Sequence, residues 1–464
     1  MAYLPVILAG GTFKAKDLSL TAQRTVNFWP QIQDAKNARS PYTLESFYGL
    51  KPFATGEGLN RGIFAHQDIL YKLSGTTLFS VNSSGIKTTI GTVAGDSQAV
   101  FDGLSSTVII TADGVAYTWD GTTFTVGTDT DFESPDTVTV LNSQALYNGA
   151  GGRFGVSDVG LPLTINALNY ATAESKADIL LRPYAYGNIV YMFGSEAIEQ
   201  WWNSGTGNPP FDRVEGGMIN IGLGAVHSVA SDDKGVYFFG ADNQVYYLLG
   251  GVPTPLLPRE IVRDIAALPT RGDAIGWAME VDGQWFYVLK LPIGNKTYIF
   301  PKGGQWFELS SGTTGDRYNG DGYAFAYGRH FIADETGNIL ELDGDTYTDN
   351  GATIRRERVL SPIHGGLFGK PGKELEIAYM RIIGKTGTGI LAGQGSDPQI
   401  SLSYSQDGEN FGNEIWGDVG KMGVLTTIDF DIGESFDNWV FKLVSTDPVY
   451  SSWYSAGIEV EMGI

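Results

Sequence analysis

Residues 62–93 read GIFAHQDILYKLSGTTLFSVNSSGIKTTIGTV, and their rhythm decides the fold. Gly62 to Ala65, Ile69 to Leu73, Thr77 to Val81 and Ile86 to Val93 are short runs rich in β-branched and aromatic residues. Ser74-Gly75 and Ser84-Gly85 punctuate them as turns. Such runs between turn residues predict four successive antiparallel strands. The next stretch repeats the plan with Ala99 to Phe101, Thr107 to Thr111, Val115 to Trp119 and Phe124 to Val126. Asp102-Gly103, Asp113-Gly114 and Asp120-Gly121 separate these runs, and Asp-Gly favours tight hairpins because the turn needs positive φ.

Further units follow at Val138 to Val156, Ile189 to Trp202, Ser228 to Leu249, Ala274 to Phe307 and Tyr323 to Leu342. Four-stranded units spaced about 35–50 residues apart indicate propeller blades. The expected fold is therefore all-β: a six- to seven-bladed β-propeller with a C-terminal β-sandwich. Residues 1–50 form an extended arm, 51–360 the propeller, 361–373 a Gly/Pro linker and 374–464 the sandwich. The arm is expected to leave the propeller and pair with the sandwich or a neighbouring subunit. One short helix is expected near Pro258 to Ala267.

Composition removes whole classes of function. The 464 residues include no cysteine, which excludes disulfides, thiolate zinc sites and thiol catalysis. Only four histidines occur, at 66, 227, 330 and 364. A net charge of −21 gives no generic affinity for nucleic acid, since phosphate binding needs clustered cations. No apolar run approaches the ~20 residues of a membrane span. The start of the chain lacks the basic region of a signal peptide.

Isolated motifs read as structure. Gly384 to Gly389 has glycines and a lysine but not the order of a phosphate loop, and predicts a hairpin loop. Asp129, Asp131, Asp343 and Asp345 lack EF-hand spacing and predict turns. Asp232-Asp233 and the pair Glu196 and Glu199 could serve a glycosidase only at defined separations. Trp201, Trp202, Trp285 and Trp306 could stack on sugars, but strand positions favour core packing. No catalytic, cofactor or metal site emerges.

Longer blocks carry a resemblance. Ala22-Gln-Arg-Thr-Val-Asn-Phe-Trp-Pro-Gln-Ile32 is similar to an "RTVNLYPE" signature, with Phe28-Trp29 replacing its Leu-Tyr. Gly152 to Asp158, Ala171 to Ser175 and Ala177-Asp178 are similar to an "F-x-VSD…A-x-AES-x-xD" block. Phe193 to Trp201, Asn203 to Gly205, Pro210-Phe211 and Arg213 are similar to "FG…E-x-W-x-N-x-G…PF-x-R". Ser403 to Gly408 and Ser455 to Glu459 are similar to common endings of the same proteins. The chain thus resembles the packaged-DNA stabilisation family, the tail hub or nozzle of short-tailed phages.

The resemblance implies a non-enzymatic virion protein of the tail, assembled in the host cytoplasm. It implies a homo-oligomeric ring, usually six copies, beneath the portal and adaptor proteins. The ring would extend the DNA channel, help retain packaged DNA and dock tail spikes or fibres. DNA would pass without sequence-specific binding, and an acidic lumen would repel its phosphates. Arg24, Asn27, Trp29, Glu199, Trp201, Phe211 and Arg213 are the signature positions expected to serve assembly. A carbohydrate-binding or glycoside-hydrolysing propeller is the alternative, and it would carry an aromatic-lined central pocket.

Overall fold

The computed structural model describes all residues except 1, 34–39, 174–177, 387–391, 421–424 and 463–464. Among them, six four-stranded antiparallel meanders follow one another, over residues 60–92, 100–126, 138–172, 180–213, 230–255 and 275–308. A seventh blade is built from Gly320–Ala326, Arg329–Asp334 and Ile339–Asp343. Its fourth strand is Gly49–Ala54, from the other end of the chain, with Leu50 opposite Leu342. The first strands of blades one and seven meet where Asn60 Nδ2 donates to the Asp321 carbonyl at 3.0 Å. Strand pairing across the N-terminal segment thus completes the last blade.

Turn chemistry follows the sequence closely. Asp113 and Gly114 have φ of 50° and 75°, and Asp282 and Gly283 have 51° and 75°, the paired positive values of a tight hairpin. Asp102-Gly103 differs. Both residues lie inside the strand Val100–Leu104, and the turn comes at Ser105, with φ 54°. The Asp102 carboxylate is used elsewhere: it accepts the Val140 N–H at 2.8 Å, tying blade two to blade three. The one α-helix among the described residues, Arg259–Ala266, joins blades five and six and buries Ile261 and Ile265. Gly384-Lys385-Thr386 ends the strand Leu375–Thr386, and Gly387, Thr388 and Gly389 lie outside the described residues.

The C-terminal strands lie in two sheets. In one, Ala2–Val6 and Tyr42–Ser46 pair with Ser451–Met462, Phe28–Ile32 pairs with Tyr42–Ser46, and Leu375–Thr386 and Leu425–Phe436 follow. The other continues directly from blade six. Phe307–Glu308 is followed by Ala22–Val26, then Arg356–Val359, Asn438–Ser445, Gln399–Ser405 and Ile415–Asp418. Both sheets feed one buried cluster that includes Phe28, Leu44, Met380 and Ile458 from the first, and Leu402, Trp439 and Phe441 from the second. Alternating apolar residues along each strand produce it, since side chains project to opposite faces in turn.

Candidate assembly site

The signature residues of the arm converge on one joint. Ala22–Val26 pairs antiparallel with Arg356–Val359 and meets Phe307–Glu308 in parallel, with Val26 opposite Glu308. One strand therefore stitches blade six to the C-terminal sheet. Arg24 projects from it onto Glu308: Nη2 is 2.6 Å from Oε2, and Nε donates to both oxygens at 3.0 Å. The other end of the guanidinium reaches Glu357, and Lys296 Nζ lies 3.4 Å from Glu308. Burial pushes the Glu308 pKa up, but Arg24, then Lys296 and Lys14, outweigh it and hold it at about 2. A forked arginine on a desolvated carboxylate is a strong, orientation-fixing contact.

Asn27 occupies the left-handed region, φ 54°. Its Nδ2 donates to the carbonyls of Ser310 and Arg355 at 2.9 and 2.8 Å, and its Oδ1 accepts the Ser310 N–H at 3.0 Å. Asparagine tolerates this backbone because its short amide bonds locally. Trp29 sets its ring edge-on to Phe286, centroids 5.1 Å apart, in the core shared with Phe47 and Phe307. All three residues serve the joint.

Glu199, Trp201, Phe211 and Arg213 lie elsewhere, on the outer pair of strands of blade four, Ile198–Asn203 and Phe211–Arg213. Trp201 Nε1 donates to Glu199 Oε2 at 3.0 Å, and Trp201 meets Phe154 edge-on at 5.0 Å. Phe211 is buried in the same core, between blades three and four, while Arg213 is exposed opposite Trp201. Asp178, from the neighbouring motif, accepts from the backbone of Ile179, Ser195, Glu196 and Ala197 and fixes the turn of that blade. Its motif partners Glu174, Ser175 and Ala177 lie outside the described residues. The seven positions thus form two groups, one at the joint and one inside a blade.

Sequence reasoning missed the charged run Arg355-Arg356-Glu357-Arg358. Arg358 is fully buried and donates to the carbonyls of Leu8 and Gly11, to Thr25 Oγ1 and to Gln23 Oε1. Burial lowers its pKa to about 9. It holds the first residues of the chain against the joint. The available signal was a charge run flanked by apolar residues, Ile354 before it and Val359-Leu360 after it.

The other candidates serve turns and cores. Asp129 accepts the N–H groups of Asp131 and Ile165, and Asp343 pairs with Lys51. Asp232 accepts from Tyr237 and Tyr247 and pairs with Lys302. Trp201 and Trp306 are buried, and Trp202 is exposed. Among the described residues, no group of three or more histidines and carboxylates could hold a metal ion. No helix among them is long and apolar enough to cross a membrane.

No curated protein sequence matches the chain. Similar solved structures include a streptogramin B lyase, at 14% identity and TM-score 0.46 over 64% of this chain and 98% of that one. Virginiamycin B lyase from Staphylococcus aureus follows at 12% and 0.45, over 65% and 98%. The N-terminal domain of Nup159 gives 9% and 0.40, over 68% and 98%. Likeness at this level says nothing of activity. A family model described as bacteriophage P22 Gp10, β-propeller, matches residues 4–347, which include the arm, its joint with blade six and all seven blades. The chain belongs to that family and is a phage structural β-propeller protein.

Proposed function

We propose that this chain is the tail hub of a short-tailed phage. Six copies form a ring beneath the portal and adaptor proteins, extend the DNA channel and help retain the packaged genome. Spikes or fibres dock on its outside, and the protein acts without catalysis. One observation carries this reading: the family's arm signature is spent on a buried joint that makes blade six and one of the two C-terminal sheets a single continuous sheet. A conduit wall under internal pressure needs that stiffness more than it needs a reactive site. The net charge of −21 supports passage of DNA without adhesion, because like charges repel. We further propose that the two C-terminal sheets, with the arm, act as a single sandwich body.

Cryo-microscopy of the assembled tail tests the reading. Six copies around the axis, with a wall dominated by Asp and Glu, are the expected result. A single axial copy, or a wall rich in Lys and Arg, overturns it. The isolated chain should be largely monomeric at low salt and associate as salt screens the repulsion, over about 10 Å at 0.1 M. Each subunit contact should bury on the order of 2,000 Å².

A further inference from the structure

Residues 361–373 read SPIHGGLFGKPGK and hold no carboxylate, in a chain whose net charge is −21. The stretch folds as a tight projection that leads into the strand Leu375–Thr386. Ile363 and His364 pair with Trp439 and Asn438. The chain then doubles back: the Lys370 N–H donates to the Gly365 carbonyl at 2.9 Å, and Gly369 makes the turn with φ 74°. Phe368 packs on the buried cluster shared by the two C-terminal sheets, and its neighbour Leu367 points out, 60% exposed. Lys370 and Lys373 are exposed beside that tip.

One sheet face of the same chain has the opposite character. In the sheet of Ala2–Val6, Leu375–Thr386, Leu425–Phe436 and Ser451–Met462, Ile377, Met380, Phe430, Ile458 and Val460 point into the core. The residues alternating with them point outward. Register places Glu376 directly opposite Glu461, and Tyr379 between Asp431 and Glu459. Tyr3 pairs with Glu459 and lies across Gly457, where a Cβ would strike its ring. Like charges directly opposite one another destabilise a sheet. Among the described residues no cation pairs with Glu376, Asp431, Glu459 or Glu461. Arg381 on this face is spent on Asp429, at 2.6 and 2.7 Å. The face thus presents two tyrosines among four uncompensated carboxylates.

We propose that the loop 364–373 of one copy docks on this acidic face of the next copy. Leu367 lies on Tyr3 and Tyr379, and Lys370 and Lys373 meet the carboxylates around them. An apolar centre inside a polar rim is the usual anatomy of a protein contact. Loop and face are different surfaces of one chain, so the contact is head-to-tail and passes from copy to copy around a ring. It sets cation against carboxylate between copies that otherwise repel. The proposal rests on the ring reading above and names the contact that makes the ring.

The test follows association of the full-length chain by sedimentation, at the salt concentration where the native chain assembles. Lys370→Glu should weaken association by about tenfold, because attraction becomes repulsion. Leu367→Ser should weaken it by about as much through lost apolar contact, with no change of charge. Lys234→Glu, at an exposed propeller hairpin, changes net charge equally and should stay within about twofold of native. Adding Glu461→Lys to Lys370→Glu should restore association. Equal behaviour of Lys370→Glu and Lys234→Glu, or no rescue by Glu461→Lys, overturns the proposal and leaves the ring reading standing. A native chain that stays monomeric at every salt concentration overturns both. Duplex DNA held by the native chain and released by Lys370→Glu assigns the loop to nucleic acid and overturns the proposal too.

Discussion

Arg24 Nη2 lies 2.6 Å from Glu308 Oε2, although 284 residues of chain separate them. The pair closes the seam between the arm and the sixth blade, and both side chains are nearly shut off from water. Removing one partner strands the other charge in a low-dielectric joint. Arg24→Ala or Glu308→Ala should therefore cost about 3–5 kcal/mol, read by denaturant unfolding. A double replacement by apolar residues of similar volume should recover much of that loss. Equal stability of the single and double variants would contradict this account.

The same pair sets an acid limit. The Glu308 pKa is held at about 2, against an ordinary value of 4.5. A lowered carboxylate pKa adds stability that is present above the unfolded value and disappears as pH falls through the folded one. The contribution should fade from about pH 4.5 down to about 2. Glu308→Gln should lose stability at neutral pH and show a flatter profile across that window.

Asn27 combines a left-handed backbone with three anchoring hydrogen bonds. Asn27→Ala should lose roughly 3 kcal/mol, from lost bonds and from the backbone penalty of a Cβ residue there. Asn27→Gly should recover about 1 kcal/mol of it, since glycine removes only the backbone term. Thermal unfolding of the two variants side by side separates these contributions.

Lys72 is fully buried in blade one, its Nζ donating to Asn60 Oδ1. Burial lowers its pKa to about 7, partly opposed by Asp321 and Asp334. The unfolded chain holds this proton more tightly than the folded one between pH 7 and 10.5, so stability from this group rises with pH there. Relative to Lys72→Met, the native chain should gain on the order of 2 kcal/mol from pH 7 to about 9. Urea unfolding at several pH values gives the difference, and a flat difference would refute the prediction.

Gly337 sits in the turn between Arg329–Asp334 and Ile339–Asp343 of blade seven, against the chain that runs from Gly49–Ala54 into blade one. Its φ is 89°, and a Cβ there would meet the Gly58 carbonyl oxygen and Ser74 Oγ. Gly337→Ala should cost 2 kcal/mol or more, at about the upper range for overpacked sites. Gly187→Ala is the control: its φ is 61°, but nothing lies within 4 Å, so only about 1 kcal/mol is expected.

Local signals made the blades readable. Asp-Gly turns and alternating runs in residues 62–126 mark strands whose partners are their immediate neighbours. The helix at Arg259–Ala266 was legible for the same reason. The role of Gly49–Ala54 was not, because its partner strand Ile339–Asp343 lies most of a chain away and leaves no trace nearby. Asp102-Gly103 misled because a turn dipeptide was recruited to tie two blades. Arg24, Asn27 and Trp29 came from resemblance, and only the structure explains them as a joint.

The stitching described above also imposes an order on synthesis. Ala22–Val26 and Gly49–Ala54 leave the ribosome first, yet their partners at Arg356–Val359 and Ile339–Asp343 are translated near the end. At about 5–20 residues per second, the wait is on the order of half a minute. An unpaired strand in that interval is a template for aggregation. Three of the early strands, Ala2–Val6, Phe28–Ile32 and Gly49–Ala54, each carry a proline, at Pro5, Pro30 and Pro52. A proline cannot donate to a ladder, so each strand offers a nascent neighbour a broken edge. The fold stays incomplete until the last segment is translated, and in the meantime the three prolines limit what these early strands can pair with.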